Sequence, residues 1–492
     1  MHRLHTKHPY INIRMIVRVL GYLLFIEAGF MLIPLVTSLI YGEADALAFA
    51  SGIGITAVLG LSMRLLPVKT KEMRKRDAIM LTALVWVAFS LFGMLPFLFS
   101  GCLGSITDAF FEAMSGFTTT GLSVFPTLDN LPHGILIWRC VSQWIGGLGI
   151  IIFTLAVLPM LNYSGGLQLF NAEVSGLTYY KLRPRVSSTA KGMWLVYIFL
   201  TFLSVILLLP SEMNLFESIC YSMSTMSTGG FAVSDAGIGA WNSHYIMAVL
   251  TVFMFLGGIN FGLLFNAAHG NFKPLAVNDT FRWFIYIILA ATAIMACCIA
   301  YTGRFDDAWD LTLLPLFQSV SVSSSTGIVT EGFRLWGPLA TFVILFLMTV
   351  GACAGSTSGG AKIDRLIVVV KNVKNEFFRI IHPNAILSVH INKKGVPAWM
   401  LQKAMAFMLL YVIVIGAATV AMACMGLPLQ ESFFTVLEAI TNTGLGVHTD
   451  GSVCSYGYLP SMAKYLLAFV MLAGRLELYT VLVIFSSAFW HK

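Results

Sequence analysis

Four times along the chain an apolar segment runs into small hydroxyl or amide residues and stops at Thr-Gly. The copies read FFEAMSGFTTTGLSVF over 110–125, CYSMSTMSTGGFAVSD over 220–235, FQSVSVSSSTGIVTEGF over 317–333 and FFTVLEAITNTGLGVHTD over 433–450. Their Thr-Gly glycines, Gly121, Gly229, Gly327 and Gly444, lie 108, 98 and 117 residues apart, a period longer than a solenoid repeat. Each apolar stretch is too short, and too polar at its end, to cross a bilayer. Each reads instead as a short helix that enters and breaks. Glycine at the break permits backbone angles that other residues resist. The C-terminal end of such a helix carries about half a negative charge. Four breaks gathered around one axis would bring backbone carbonyls face to face, an arrangement that can replace the hydration shell of a cation. The candidate cation-lining residues are therefore Thr119, Thr120 and Gly121; Ser227, Thr228 and Gly229; Ser325, Thr326 and Gly327; and Asn442, Thr443 and Gly444.

Composition places these breaks in a membrane protein. The chain is 58% hydrophobic and 11% charged, against about 25% charged in soluble proteins. A bilayer core of about 30 Å needs about 20 apolar residues per helix. Stretches of that kind run near 15–40, 46–66, 78–100, 134–160, 192–210, 244–266, 281–301, 338–380 (interrupted), 400–425 and 461–490. That is two leading helices and then four pairs, with one Thr-Gly break inside each pair. Non-helical backbone at membrane depth is tolerated only where protein buries it or it lines a wet cavity, which favours a pore. No cleavable signal peptide is visible, since the N-terminal basic stretch leads into a span too long for one.

Orientation follows from the basic residues. With the N-terminus inside, 25 of the 30 Lys and Arg fall in cytoplasmic segments, eight of them between Lys362 and Lys403. The positive-inside rule then puts both termini in the cytoplasm and has all four breaks entering from the outside. The outer loops carry acids, among them Glu43, Asp129, Asp235 and Asp450. The net charge of +7 sits in membrane loops rather than on a soluble domain, so nucleic acid is not implied. Nothing in the sequence resembles H-E-x-x-H, a Cys/His cluster, G-x-G-x-x-G or G-x-x-x-x-G-K-[ST]. An enzyme, a transition-metal site and a nucleotide site on this chain are accordingly not expected.

Two features sit where a spanning helix should be plain. Over 349–362 the sequence TVGACAGSTSGGAK packs small residues at mid-membrane. Glycine costs about 1 kcal/mol in a helix interior, so this run should unwind. Gly351, Gly355, Ser356, Thr357, Ser358, Gly359 and Gly360 are read as a loop crossing beneath the breaks, a candidate gate. Arg475 lies inside the last span, and aligning Gly146, Gly257, Gly351 and Gly474 brings it level with that loop. A charge at a helix centre costs about 2.5–3.5 kcal/mol on insertion scales, so an intramembrane Arg points to function. Pairing with Glu477 is disfavoured, because residues two apart do not share a helix face. Arg475 is assigned to the wall below the breaks, as gate partner and barrier. Arg139, near the outer end of its helix, reads as a snorkelling side chain. Asn260, after a Gly pair, reads as a residue that bonds backbone.

These breaks, together with WIGGLGIIIF (144–153), GGINF (257–261), GACAGSTSGGAK (351–362) and GRLELYTVLVIF (474–485), resemble the Trk/Ktr/HKT superfamily of potassium transporters. The two leading helices resemble its TrkH-type branch, and the likeness covers the whole chain. The resemblance implies an all-α polytopic protein with four pseudo-symmetric helix–pore-loop–helix repeats around a central pore. The N-terminal extension would be 1–77. The repeats would be 78–191, 192–280, 281–398 (with an intramembrane loop at 351–361) and 399–492. It further implies a K⁺ path with one filter glycine per repeat, weaker exclusion of Rb⁺, Cs⁺ and Na⁺ than in potassium channels, and a homodimer in the cell inner membrane. A cytoplasmic TrkA-type ring that binds NAD or ATP is the implied partner. The fourth break, NTGLG at 442–446, departs from a Pro-containing variant of some relatives. An H⁺- or Na⁺-coupled potassium symporter is the alternative, with Glu27 and Glu477 as the main intramembrane acids. The repeats run parallel rather than inverted, which weighs against coupling.

Overall fold

A computed structural model describes residues 11–68, 73–147, 149, 186–303, 308–330, 333–385, 387–446 and 455–490. Six of its helices are long and apolar enough to cross a membrane: Ile13–Tyr41, Ala46–Arg64, Lys75–Phe99, Ala190–Leu208, Asp279–Thr302 and Ala398–Cys424. They match expected spans to within a few residues. Their outward faces stay apolar, with Leu47, Phe202 and Leu409 exposed. In water such faces would demand burial at about 25 cal/mol per Å²; in lipid they need none. Among the described residues the sheet content is one two-residue hairpin, His390–Ile391 against Lys394–Gly395.

The leading pair packs through glycine. A Cβ at Gly21 would lie 2.6 Å from the carbonyl oxygen of Gly60, so the two helices approach as closely as backbones allow. Small residues at such crossings are the membrane's substitute for hydrophobic driving force.

Two of the inner members depart from the expectation of a plain span. Over 244–266 the chain forms His244–Gly257 and Phe261–Ala268, bent by 108°; near 461–490 it forms Ser461–Arg475 and Tyr479–Phe485, bent by 113°. Both stretches were expected to run unbroken, and hydropathy is blind to the difference because apolar residues continue through each bend. The causes are local. Asn260 accepts hydrogen bonds from the Gly262 and Leu263 amides and so starts a new helix in a new direction. At the other bend, Glu477 and Leu478 both have positive φ, +56° and +36°. The third inner span is interrupted as expected: Pro338–Val350 stops at Gly351 (φ +68°) and the helix resumes at Ile363–Ile381. In the first, the helix His133–Gly147 is described and residues 150–160 lie outside the described residues.

Glycine marks the level of these breaks for a steric reason. A Cβ at Gly146 or Gly474 would lie 1.9 or 2.1 Å from the carbonyl oxygen of Phe117 or Ile440, and one at Gly257 would lie 3.0 Å from Thr228 Cγ2. Each of those carbonyls belongs to the end of a short helix. Three inner helices thus bring a glycine against the end of a short helix that carries Thr-Gly residues.

Candidate functional site

The short helices are Ile106–Phe117, Leu215–Met226, Ala308–Ser323 and Leu429–Thr441. Each is followed by a non-glycine residue in the left-handed region: Thr119 (φ +53°), Thr228 (+55°), Ser325 (+58°) and Asn442 (+51°). A β-branched residue there is a genuine outlier, and such strain gathers at functional sites. The next amide in each case reaches back five residues. Thr120 donates to the Ser115 carbonyl (2.9 Å), Gly229 to Ser224 (3.0 Å), Thr326 to Ser321 (2.9 Å) and Thr443 to Glu438 (3.0 Å). This closes the helix end in the manner of a left-handed C-cap.

The shared geometry fixes a register that the Thr-Gly pattern does not. Thr120, Gly229, Thr326 and Thr443 are equivalent, and so are Gly121, Gly230, Gly327 and Gly444. In the second segment the equivalent glycine is therefore Gly230 rather than Gly229. Gly230 has φ +79°, close to Gly121 (+85°) and Gly327 (+77°).

The four segments close on one another in chain order. A Cβ at Gly121 would lie 2.3 Å from the Gly229 carbonyl oxygen, at Gly230 1.9 Å from that of Thr326, at Gly327 2.7 Å from that of Gly444, and at Gly444 2.6 Å from that of Thr120. The Gly444 amide donates to the Thr120 carbonyl at 2.5 Å. Ring closure therefore requires glycine at these positions. Several buried polar atoms beside the ring, Thr119 Oγ1, Thr225 Oγ1 and Asn442 Oδ1 among them, have no protein hydrogen-bond partner.

On one side the ring opens into a cavity of about 620 Å³, with Gly121, Gly230, Gly327 and Gly444 in its floor and Asp235 and Arg139 in its wall. Arg139 does not snorkel. It is 1% exposed and donates from Nε to Glu112 Oε1 (2.8 Å), from Nη1 to the Ala232 carbonyl (2.9 Å) and from Nη2 to Ser123 Oγ (3.1 Å). Partners on three elements hold it inside the protein. Gln143, one helical turn further along, accepts from the Phe231 amide and from Ser224 Oγ, both at 3.1 Å.

On the other side runs the loop 351–362. Its glycines Gly351, Gly355 and Gly360 have positive φ, as does Lys362. Thr357 Oγ1 donates to the Gly257 carbonyl (3.1 Å), and the Gly359 amide donates to Ser325 Oγ (2.6 Å). A Cβ at Gly359 would lie 2.0 Å from the Thr441 carbonyl oxygen. Ser356 Oγ bonds the Cys353 carbonyl and Ser358 Oγ, at 2.6 and 2.7 Å. Asn260 Nδ2 donates to the Ala354 carbonyl at 2.6 Å, the backbone role expected of it. Below, Lys362 Nζ donates to the Ser358 carbonyl, and Asp364 accepts from the Ala354 amide and from Thr280.

Arg475 meets this loop directly. Its Nη1 donates to the Thr357 carbonyl (2.5 Å), and Nη2 donates to the carbonyls of Gly146 (2.7 Å) and Gly147 (2.9 Å). The guanidinium therefore links the loop to the end of the first inner helix. Glu477 pairs with Arg365. Glu27 is fully buried, neither carboxyl oxygen has a protein partner, and it lines a cavity of about 20 Å³ with Trp86, Phe117 and Gly146.

The apolar helices and the breaks buried among them define a polytopic helical membrane transport protein. A family model described as "TrkH: Cation transport protein" matches residues 47–275 and 275–492. The chain is 34% identical over 488 residues to the Trk system potassium uptake protein TrkH of Salmonella typhimurium, covering 98% of this chain and 100% of that one. It is 35% identical over 485 residues to TrkH of Halomonas elongata, with the same coverage. The crystal structure of the potassium transporter TrkH from Vibrio parahaemolyticus superposes with a TM-score of 0.88 at 29% identity, over 97% of this chain and 100% of that one. The chain belongs to the TrkH family of cation transport proteins. It is a transporter, not an enzyme.

The register makes a direct prediction. Gly230→Ala puts a Cβ against backbone at positive φ, whereas the nearest atoms to a Cβ at Gly229 are those of the Gln143 side-chain amide, which can shift. Gly230→Ala should lower cation flux more than Gly229→Ala does. The check is flux in liposomes at matched, monodisperse protein, and equal losses in both variants would contradict the register.

Proposed function

We propose that this chain is a potassium uptake pore in which Gly121, Gly230, Gly327 and Gly444, with the carbonyls beside them, form the selectivity filter. The observation that carries this reading is the closed ring: carbonyl oxygens of Thr120, Gly229, Thr326 and Gly444 each face the glycine of an adjacent segment. Carbonyls held at that depth can replace a cation's water, and unpartnered buried hydroxyls beside them suit a polar occupant. K⁺ as the ion is supported by the printed names of relatives, which are potassium uptake proteins. Four helix–pore-loop–helix repeats, 78–191, 192–280, 281–398 and 399–492, surround the path, and the acid-bearing outer cavity concentrates cations before entry. The protein sits in the cell inner membrane with both termini in the cytoplasm. The ring admits Rb⁺ and Cs⁺, and Na⁺ less well. Gly121→Ser tests the filter: at φ +85° its Cβ would crowd the Gly229 carbonyl, so the K⁺-to-Na⁺ flux ratio should fall. An unchanged ratio in folded protein would contradict it.

The loop 351–362 is the gate on the cytoplasmic side of the filter, and Arg475 helps hold it across the path. A unit charge pair a few ångströms apart is worth about 4 kcal/mol at an effective dielectric of 20, enough to slow passage greatly. Shortening the loop and Arg475→Ala should each raise K⁺ flux, and together by less than the product, because both act on one constriction. Flux at or below wild type in both single variants would locate the gate elsewhere.

The chain works as a homodimer, with its basic cytoplasmic face docked on a TrkA-type ring that binds NAD or ATP. This chain itself binds no nucleotide. Lys374, Lys393 and Lys394 lie on that face with Lys371, whose Nζ donates to the His390 carbonyl at 2.8 Å. Charge reversal at these four positions should reduce co-purification at low salt, and native mass reads the copy number. Recovery equal to wild type would remove the electrostatic claim, and a single copy the dimer.

One observation favours a second reading, symport with H⁺ or Na⁺: Glu27 is buried without a partner close to Phe117. On that reading uptake requires an imposed proton or sodium gradient.

A further inference from the structure

Ring closure is four-fold, but the support behind it is not. Seven residues before the left-handed residue, the short helices carry Glu112, Tyr221, Gln318 and Thr435. Seven residues before the packing glycine, the inner helices carry Arg139, Leu250, Ile344 and Leu467. All eight positions are buried. Only the first repeat places a carboxylate and a guanidinium at these two positions, and there they meet at 2.8 Å with side-chain exposures of 0% and 1%.

The two groups do more than neutralise each other. Glu112 Oε2 accepts from the Val124 amide (2.8 Å) and Oε1 from Ser123 Oγ (3.1 Å). Arg139 reaches the neighbouring segment at the Ala232 carbonyl, and its guanidinium lies 4.1 Å from the Phe231 ring centroid. Val124 lies three residues beyond Gly121, and Ala232 two beyond Gly230. The pair therefore spans from the first segment to the second immediately outward of the ring. Replacing a buried ion pair with apolar residues is often neutral or stabilising, so fold stability alone does not account for one here. Fork geometry offers what a Leu cannot: several directed donors fixed in one plane.

We propose that Glu112 and Arg139 are positioning residues that set the spacing between the first two filter segments and so tune ion discrimination. The inference rests on the ring being the selectivity filter, and it adds that the filter's geometry is held asymmetrically from one side. It also assigns an electrostatic role. Arg139 lines the outer cavity, and Glu112 compensates its guanidinium charge close to the path of an entering cation.

The test uses full-length protein in liposomes, with K⁺ and Na⁺ flux and amide hydrogen exchange of segments 119–125 and 229–233. Glu112→Gln should raise the apparent KM for K⁺, more at low ionic strength, because it leaves the Arg139 charge uncompensated. Arg139→Lys keeps the charge but loses the fork. It should leave KM near wild type and lower the K⁺-to-Na⁺ ratio by about tenfold, the scale of one lost charged hydrogen bond. Glu112→Gln with Arg139→Gln removes both charges and should restore KM without restoring the ratio. In all three variants exchange should quicken in both segments. If Glu112→Gln fails to insert, the other two variants decide. A ratio and exchange pattern equal to wild type in inserted variants would overturn the proposal. Wild-type protein that passes no K⁺ would instead refute the filter reading, and the exchange data would still report whether the pair holds the two segments.

Discussion

Everything in this chain depends on keeping non-helical backbone at membrane depth without leaving its amides and carbonyls bare. An unpaired backbone group in hydrocarbon costs several kcal/mol, and each of the four short helices must nevertheless end there. The solution recurs four times: one residue turns left-handed and the next amide reaches back five residues to cap the helix. That manoeuvre turns the following carbonyls toward the neighbouring segment, where the Thr120 carbonyl meets the Gly444 amide. Long outer helices shield the arrangement from lipid, and glycines on the inner helices let it be approached closely enough to seal.

The same economy explains the layer beneath. The run 351–362 cannot stay helical, yet its polar groups are met by the ends of other broken elements: Gly257, Ser325, and through Arg475 the carbonyls of Gly146 and Gly147. Arg475 is thus a donor to a site already rich in unmatched carbonyls, which is how a charge can reside at that depth. The bend at 258–260 frees the Gly257 carbonyl and the bend at 476–478 follows Arg475, so kinks, loop and arginine form one hydrogen-bonded layer under the ring.

Much of this was legible in the sequence because it is local. Apolar length gave the outer spans, the density of small residues over 349–361 gave the interruption, and Thr-Gly recurrence gave the breaks. Three things were hidden, each for a physical reason. The second break carries two successive glycines, Gly229 and Gly230, and the left-handed Thr228 with the amide bond from Gly229 back to Ser224 shows which one matches Gly121. The kinks at 108° and 113° occur inside unbroken apolar runs; GGIN at 257–260, with an Asn able to cap, was the available signal. The Glu112–Arg139 pair joins residues 27 apart on two helices, a contact that no spacing rule anticipates, and Arg139 alone looked like a side chain able to reach solvent.

The proposed pore would conduct K⁺ down its electrochemical gradient. The most direct measurement is Rb⁺ uptake into K⁺-loaded liposomes containing purified protein alone, with and without imposed proton and sodium gradients. The account predicts uptake that follows the K⁺ and Rb⁺ gradients, is competed by external K⁺, and is indifferent to either coupling gradient. Uptake seen only when a proton or sodium gradient is imposed would contradict it and leave the coupled reading standing.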